Sequence, residues 1–379
     1  VHIFGGRTNS PPYHLDTVYI FDPKTKQVDI GPASLPKRLH SCTAIQGTGL
    51  VVGGSVDATR QDSILMYRNQ ERGADGYTQK METVAKNIAI RDMAYAYHEG
   101  SMYLFGGVDA EGSVTNTIYK VDSKGNYVIM GTMPNYMHGM SAITLNNYIY
   151  VFGGKDDMGS YGNGVYRYDP VGNSFMDTNR NLPMGIAFTA LATDGNDLVF
   201  VVGGEITGGV TDRLTVWSAN SGVIVNDFLP YQLYNARATY YQNLVYIFGG
   251  TLYDGARYRH SLEVLKYDFA GYTFMPADKY LPEPISGSAG GSVDGMMYLA
   301  GGTVLYKDTS SGIPVYSDRM LVYDMETETP KYLDMRMGLA FSDNCAWLPQ
   351  SPYLITASER WGHPEMHRVV LDRRDRSFS

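Results

Sequence analysis

The side chains with most to offer chemically are arginines, histidines and tyrosines set in short polar stretches. They are Arg7 with Asn9, Arg38 with His40, Arg91, Tyr136 with His138, Asn235 with Arg237, Tyr253, and Arg336. A guanidinium presents a planar fork of donors that fits a carboxylate, and a tyrosine offers a rigid aromatic surface with a polar edge. This set points to recognition of an anionic or polar group more than to bond-breaking. Asp57, Asp109, Asp156, Asp212, Asp254 and Asp318 occur in comparable stretches, so each arginine could equally tie neighbouring loops together.

Catalytic signatures are thin. His363 and His367 are spaced i, i+4, a metal-binding pattern only on a helix, and Pro364 argues against one. Scattered Ser, His and Asp do not define a triad without a nucleophile turn. No glycine-rich loop opens a helix to cradle a phosphate. No cofactor is implied.

Composition excludes further classes. The 379 residues carry a formal net charge of -8. The densest basic stretch, Arg368 to Arg376, is interrupted by Asp372 and Asp375. Such a chain suits neither nucleic acid nor an anionic membrane surface. No apolar run approaches the ~18 residues needed for insertion as a membrane helix. Two cysteines, Cys42 and Cys345, and no N-glycosylation sequon lean weakly towards a cytoplasmic setting.

The elements that position the polar stretches are repeats. A Gly-Gly doublet after an apolar run recurs at Gly5, Gly53, Gly106, Gly153, Gly203, Gly249 and Gly301, spaced 48, 53, 47, 50, 46 and 52 residues apart. Each run reads as a β-strand buried on both faces, and the glycines permit positive φ and close backbone approach. A second strand follows, ending in an Asp turn as at Asp22-Pro23 and Asp169-Pro170. A more polar strand comes next, and a strand of small residues precedes each doublet. The unit is four antiparallel strands in about 50 residues.

The pattern resembles the kelch repeat: Gly-Gly, an aromatic residue further on (Tyr19, Tyr67, Tyr119, Tyr166, Trp217), then the Asp turn. The outer-strand tryptophan usual in that family is replaced by Tyr77, Tyr127, Phe175 or Phe274, which marks a divergent member. The resemblance implies an all-β, kelch-type β-propeller of four-stranded antiparallel blades in a single domain. Its units span about 1–32, 33–85, 86–134, 135–183, 184–230, 231–282, 283–335 and 336–379. Eight blades are favoured, with a seven-blade ring from about residue 33 as the alternative. WD-type propellers fit less well, because no Trp-Asp dipeptide occurs.

The resemblance also implies where function sits. The loops after each doublet and the segments leading into each inner strand share one face, which kelch propellers use to bind peptides. GGRTNSP (5–11) is similar to a loop with which a kelch adaptor of ubiquitin ligases grips an acidic peptide, so Arg7 and Asn9 take its Arg and Asn positions. Enzymatic kelch precedents match poorly. Tyr97-His98 falls opposite the loop face, where the copper oxidases' ligands would not be. Gln79 stands where the iron-dependent specifier proteins need histidine after Glu71 and Asp75. The expectation is a non-catalytic binding or scaffold module for a protein segment or a glycan. The alternatives are a small-molecule, sugar-type enzyme with a site at the channel mouth, and a structural assembly or filament component.

Overall fold

The computed structural model of the chain describes residues 90–332, apart from residues 91, 110, 123–125, 254–257, 301–302, 305–314 and 317–319, and the strands between His2 and Lys86. Every regular element among the described residues is a β-strand. They form successive antiparallel sheets, one per repeat, with strands ordered from inner to outer edge as they follow in sequence.

The first sheet has three strands, His2–Arg7, His14–Asp22 and Gln27–Ile30. The second joins Thr43–Ile45, Leu50–Val52, Ser63–Gly73 and Gly76–Lys86. Blade 3 is Ala94–His98, Ser101–Val108, Val114–Asp122 and Tyr127–Thr132. Blade 4 is Ser141–Leu145, Tyr148–Phe152, Val165–Asp169 and Ser174–Asp177. Blade 5 is Ala190–Thr193, Leu198–Val202, Arg213–Ser218 and Gly222–Phe228. Blade 6 is Arg237–Tyr241, Leu244–Phe248, Val264–Asp268 and Thr273–Pro276. Blade 7 is Ala289–Val293, Met296–Ala300, Met320–Asp324 and Thr329–Tyr332. The unit at 336–379, on which the eight-blade count rests, lies outside the described residues.

The core is a series of layers between adjacent blades. Phe105 of blade 3 meets Ile149, Val151 and Tyr168 of blade 4. Phe152 and Val165 of blade 4 meet Val199 and Trp217 of blade 5. Phe200 and Val216 of blade 5 meet Val245 and Tyr267 of blade 6, and Phe248 of blade 6 meets Leu299 and Tyr323 of blade 7. This explains the unalternating second strands: Ser101–Val108 is buried throughout because a neighbouring sheet covers each face.

The doublets do more than end a strand. In blades 3 to 6 the second glycine donates its N–H to a carbonyl on the segment leading into the next blade. Gly107 bonds Met137 O at 2.9 Å, and Gly154, Gly204 and Gly250 bond Ile186 O, Leu233 O and Ile285 O at 2.8 Å. The first glycine lies against the same carbonyl: a Cβ on Gly153 or Gly203 would stand 2.1 Å from the Ile186 or Leu233 oxygen. Only glycine leaves room for this contact, and both glycines hold positive φ.

The register places the aromatic positions in two layers. Tyr119 and Tyr166 lie opposite Leu104 and Val151, two residues before their doublets. Trp217 lies opposite Val199, four before its doublet, and so aligns with Tyr168, Tyr267 and Tyr323. The sequence pattern therefore joined Trp217 to the wrong aromatics. The deeper layer is fully buried. Tyr168 donates to Asn173 Oδ1 at 2.8 Å, and Trp217 Nε1 donates to Arg180 O at 2.7 Å.

Burial pushes the phenols of Tyr168 and Tyr246 up to about 12, and raises those of Tyr267 and Tyr323 as well. The unfolded chain then loses these protons first, so their contribution to stability is intact below about pH 10 and is lost as pH rises above it. Urea midpoints measured from pH 8 upwards should fall beyond about pH 10. A profile level to pH 12 would show that these phenols are not held neutral by the fold.

Among the described residues the Asp turns form as expected from the sequence, whereas the turn after Asp22 lies outside them. Asp169 Oδ1 accepts from the N–H groups of Val171 at 2.9 Å and Gly172 at 3.0 Å, and Asp324 and Asp268 make the same kind of turn. The backbone donors of Gly172 and Val171 hold the Asp169 carboxyl below its ordinary value.

Candidate functional site

The doublet bonds put the post-doublet loops beside the segments that lead into inner strands, so these two sets share one face. On that face a belt of residues with left-handed backbone stands two positions before the inner strands of blades 3 to 7: Asp92, Gly139, Phe188, Asn235 and Gly287, with φ between 53 and 64°. Gly139 N donates to Asp92 O at 2.8 Å, Phe188 N to Gly139 O at 2.8 Å, and Gly287 N to Asn235 O at 3.0 Å. These bonds cross from blade to blade and fix the backbone on which the loop-face side chains stand. Tyr97 and His98 lie at the opposite end, but as the last two residues of the strand Ala94–His98 and not in the turn, which falls at 99–100.

The structure treats the sequence candidates unequally. Asn9, Arg38, His40, Arg91 and Arg336 lie outside the described residues, and Arg7 is described as the last residue of its strand, paired with His14. Arg237 opens an inner strand and pairs with Phe248, just as Ala94 pairs with Phe105. Arg91 precedes Ala94 by three positions, so Arg91 and Arg237 are not equivalent in the repeat. Arg237 Nε donates to Ser288 O at 2.6 Å, the tie that Ser141 Oγ makes to Thr189 O at 2.9 Å between blades 4 and 5. Its guanidinium therefore clamps blades 6 and 7 together. Asn235 belongs to the backbone belt, and Tyr136 is 58% exposed.

His138 and Tyr253 each lead into a cluster. His138 pairs in antiparallel fashion with Lys155, and Lys155 pairs with Tyr161, so all three side chains share one face of a small sheet. Lys155 Nζ sits 4.9 Å from the Tyr161 ring centre, and Tyr161 Oη donates to Glu205 Oε2 of blade 5 at 3.3 Å. The His138 ring meets the Phe188 ring edge-on, 6.1 Å between centres. All five side chains are half-buried. Tyr253 lies in a second small sheet, formed by Gln232–Tyr234, Thr251–Tyr253 and Tyr258–His260. There the Tyr258 ring lies 4.8 Å from that of Tyr253 and 6.3 Å from that of Tyr234, and Tyr258 is 49% exposed.

Sequence reasoning missed Lys155, Tyr161, Glu205 and Tyr258. The available signal was position: Lys155 and Glu205 each directly follow a doublet, where Val108 and Thr251 are buried in blades 3 and 6. Chemically, the arrangement offers one cation, one carboxylate, a phenol between them and flanking aromatic surface. Among the described residues, no group of three or more His, Cys, Asp or Glu could hold a metal ion, and no helix is long and apolar enough to cross a membrane.

The comparisons agree with this architecture. A search of curated proteins finds no match to the sequence. Among solved structures, YjhT is similar in fold, with a TM-score of 0.59 and 15% identity over 79% of this chain and 98% of that one. A family model described as the Attractin/LZTR1 beta-propeller matches residues 102–342. Repeat, blade topology and family model converge: this chain is a kelch-type propeller and belongs to the Attractin/LZTR1 β-propeller family.

Proposed function

We propose that the chain is a non-catalytic binding module that recognises a protein segment on its loop face. The observation that carries this is the grouping, at one end of blades 4 to 6, of charged side chains and exposed tyrosines on a backbone fixed by interblade hydrogen bonds. Tyrosine offers large contact area at small conformational cost and is enriched where interfaces gain their energy. Arg237, already bonded to Ser288 O, serves the scaffold more than the ligand.

Affinity capture from a lysate tests the reading by comparing faces. A Tyr136→Ala/Tyr258→Ala variant is expected to lose a partner that the wild type and a Tyr97→Ala variant both retain, at matched melting temperature. Equal capture by all three proteins would overturn it. The His138, Lys155, Tyr161 and Glu205 cluster is the one observation favouring a second reading, a small-molecule enzyme at the channel mouth. That reading requires a turnover abolished by His138→Gln with the fold intact.

A further inference from the structure

Lys155 and Glu205 occupy the same repeat position in adjacent blades, directly after the doublets of blades 4 and 5. The residues at that position in blades 3 and 6, Val108 and Thr251, are each 4% exposed. A charge at a position that blades 3 and 6 fill with a buried neutral residue loses hydration, and it persists at such a site when something gives it a partner. Neither charge has an oppositely charged partner among the described residues. Among the described residues the Lys155 ammonium meets only the face of the Tyr161 ring, and the Glu205 carboxylate accepts only the 3.3 Å bond from Tyr161 Oη. One phenol thus touches both charges, the ammonium at its ring face and the carboxylate at its hydroxyl.

Resting on the binding-module reading above, we infer that the junction of blades 4 and 5 is a charge-reading subsite for an extended peptide segment carrying one acidic and one basic side chain two residues apart. Residues i and i+2 of an extended strand project to the same side, roughly 6–7 Å apart. That spacing sets an acidic group over Lys155 and a basic group over Glu205 on either side of one phenol ring. The ligand's acidic group meets the ammonium, its basic group meets the carboxylate, and the order of the two charges along the peptide sets its direction across the blades. A segment of a single charge sign would place a like charge against Lys155 or Glu205, so the subsite selects against it.

The test uses the whole chain and short fluorescent peptides of serine and threonine with a central Glu-Thr-Lys, Lys-Thr-Glu, Glu-Thr-Glu or Lys-Thr-Lys. Wild type should bind one mixed peptide at least about tenfold more tightly than either single-sign peptide. Lys155→Glu and Glu205→Lys should each lose that preference. The double variant Lys155→Glu/Glu205→Lys should regain it for the mixed peptide of opposite order, a rescue that a merely structural role for either residue would not produce. Equal binding of mixed and single-sign peptides, or no reversal of order in the double variant, would overturn the inference. Failure of the subsite alone is distinguishable: both single variants would then still capture the protein partner that Tyr136→Ala/Tyr258→Ala loses.

Discussion

Gly153→Ala is expected to destabilise the protein by at least about 3 kcal/mol, and to abolish soluble expression if the wild type has less than that in reserve. Two costs add. The residue sits at φ 63°, where a side chain costs about 1–2 kcal/mol. The new Cβ would stand 2.1 Å from Ile186 O, and the obstacle is a backbone carbonyl that no side-chain rotation can move. Relief requires blade 5 to shift away, which stretches the 2.8 Å bond from Gly154 N to that same oxygen and leaves buried polar groups unpaired for a further 1–3 kcal/mol or so. Gly195→Ala supplies the control. Gly195 also has positive φ, at 79°, but nothing lies within 4 Å of its would-be Cβ. That variant should lose only about 1 kcal/mol. Urea unfolding of the two variants separates conformational strain from lost interblade docking, and equal losses would show that docking contributes nothing.

The doublets illustrate how far the sequence carries. Their recurrence after apolar runs announced a ring of blades, and the positive φ followed from the residue type. The carbonyl each one rests on was out of reach, because the acceptors Met137, Ile186, Leu233 and Ile285 come from the next unit and share only apolar character. A second repeat signal went unread. Met133-Pro134, Leu182-Pro183, Leu229-Pro230 and Leu281-Pro282 stand in each lead-in segment, with the Met or Leu 3% exposed in every case. Each of these residues anchors the chain as it returns to the inner strand, and Met133 and Leu182 are further held by the side-chain amides of Asn116 and Asn163.

The candidate site was legible as a face and much less as residues. Loop length and composition marked the end of the propeller where the structure gathers the His138 and Tyr253 clusters, whereas residue type alone favoured arginines. Arg237 shows why that fails: its guanidinium fits a backbone carbonyl of the next blade as well as it would fit a ligand's carboxylate. Lys155 and Glu205 look ordinary in sequence; the doublets align them with Val108 and Thr251, and they gain meaning once those two residues are seen to be buried. The useful unit of comparison in a repeat chain is therefore the structural position, and beyond the doublets loops of unequal length hide it. The same inequality misplaced Trp217 among the aromatics.

Trp217→Ala should cost about 3–5 kcal/mol, the range for removing a fully buried large aromatic. The indole is 0% exposed and packs edge-on against Tyr150 and Phe152 of blade 4, with ring centres 5.2 and 5.4 Å away. Trp217→Phe keeps most of the packing but removes the donor to Arg180 O, so it should lose less than the alanine variant, about 1–3 kcal/mol. A Phe variant as damaged as the Ala variant would mean that the hydrogen bond, and not the packing, holds this layer. Gly153 and Trp217 act on the same interface, between blades 4 and 5, one through the loop-face backbone and the other through the buried layer. Residues sharing an interface couple, typically by about 0.5–3 kcal/mol. The combined variant should therefore lose less than the sum of its parts, because an interface already opened by one change has less to lose to the other. Strict additivity would instead mean that each blade pair is held by two independent seams, and that the loop face can loosen without disturbing the core beneath it.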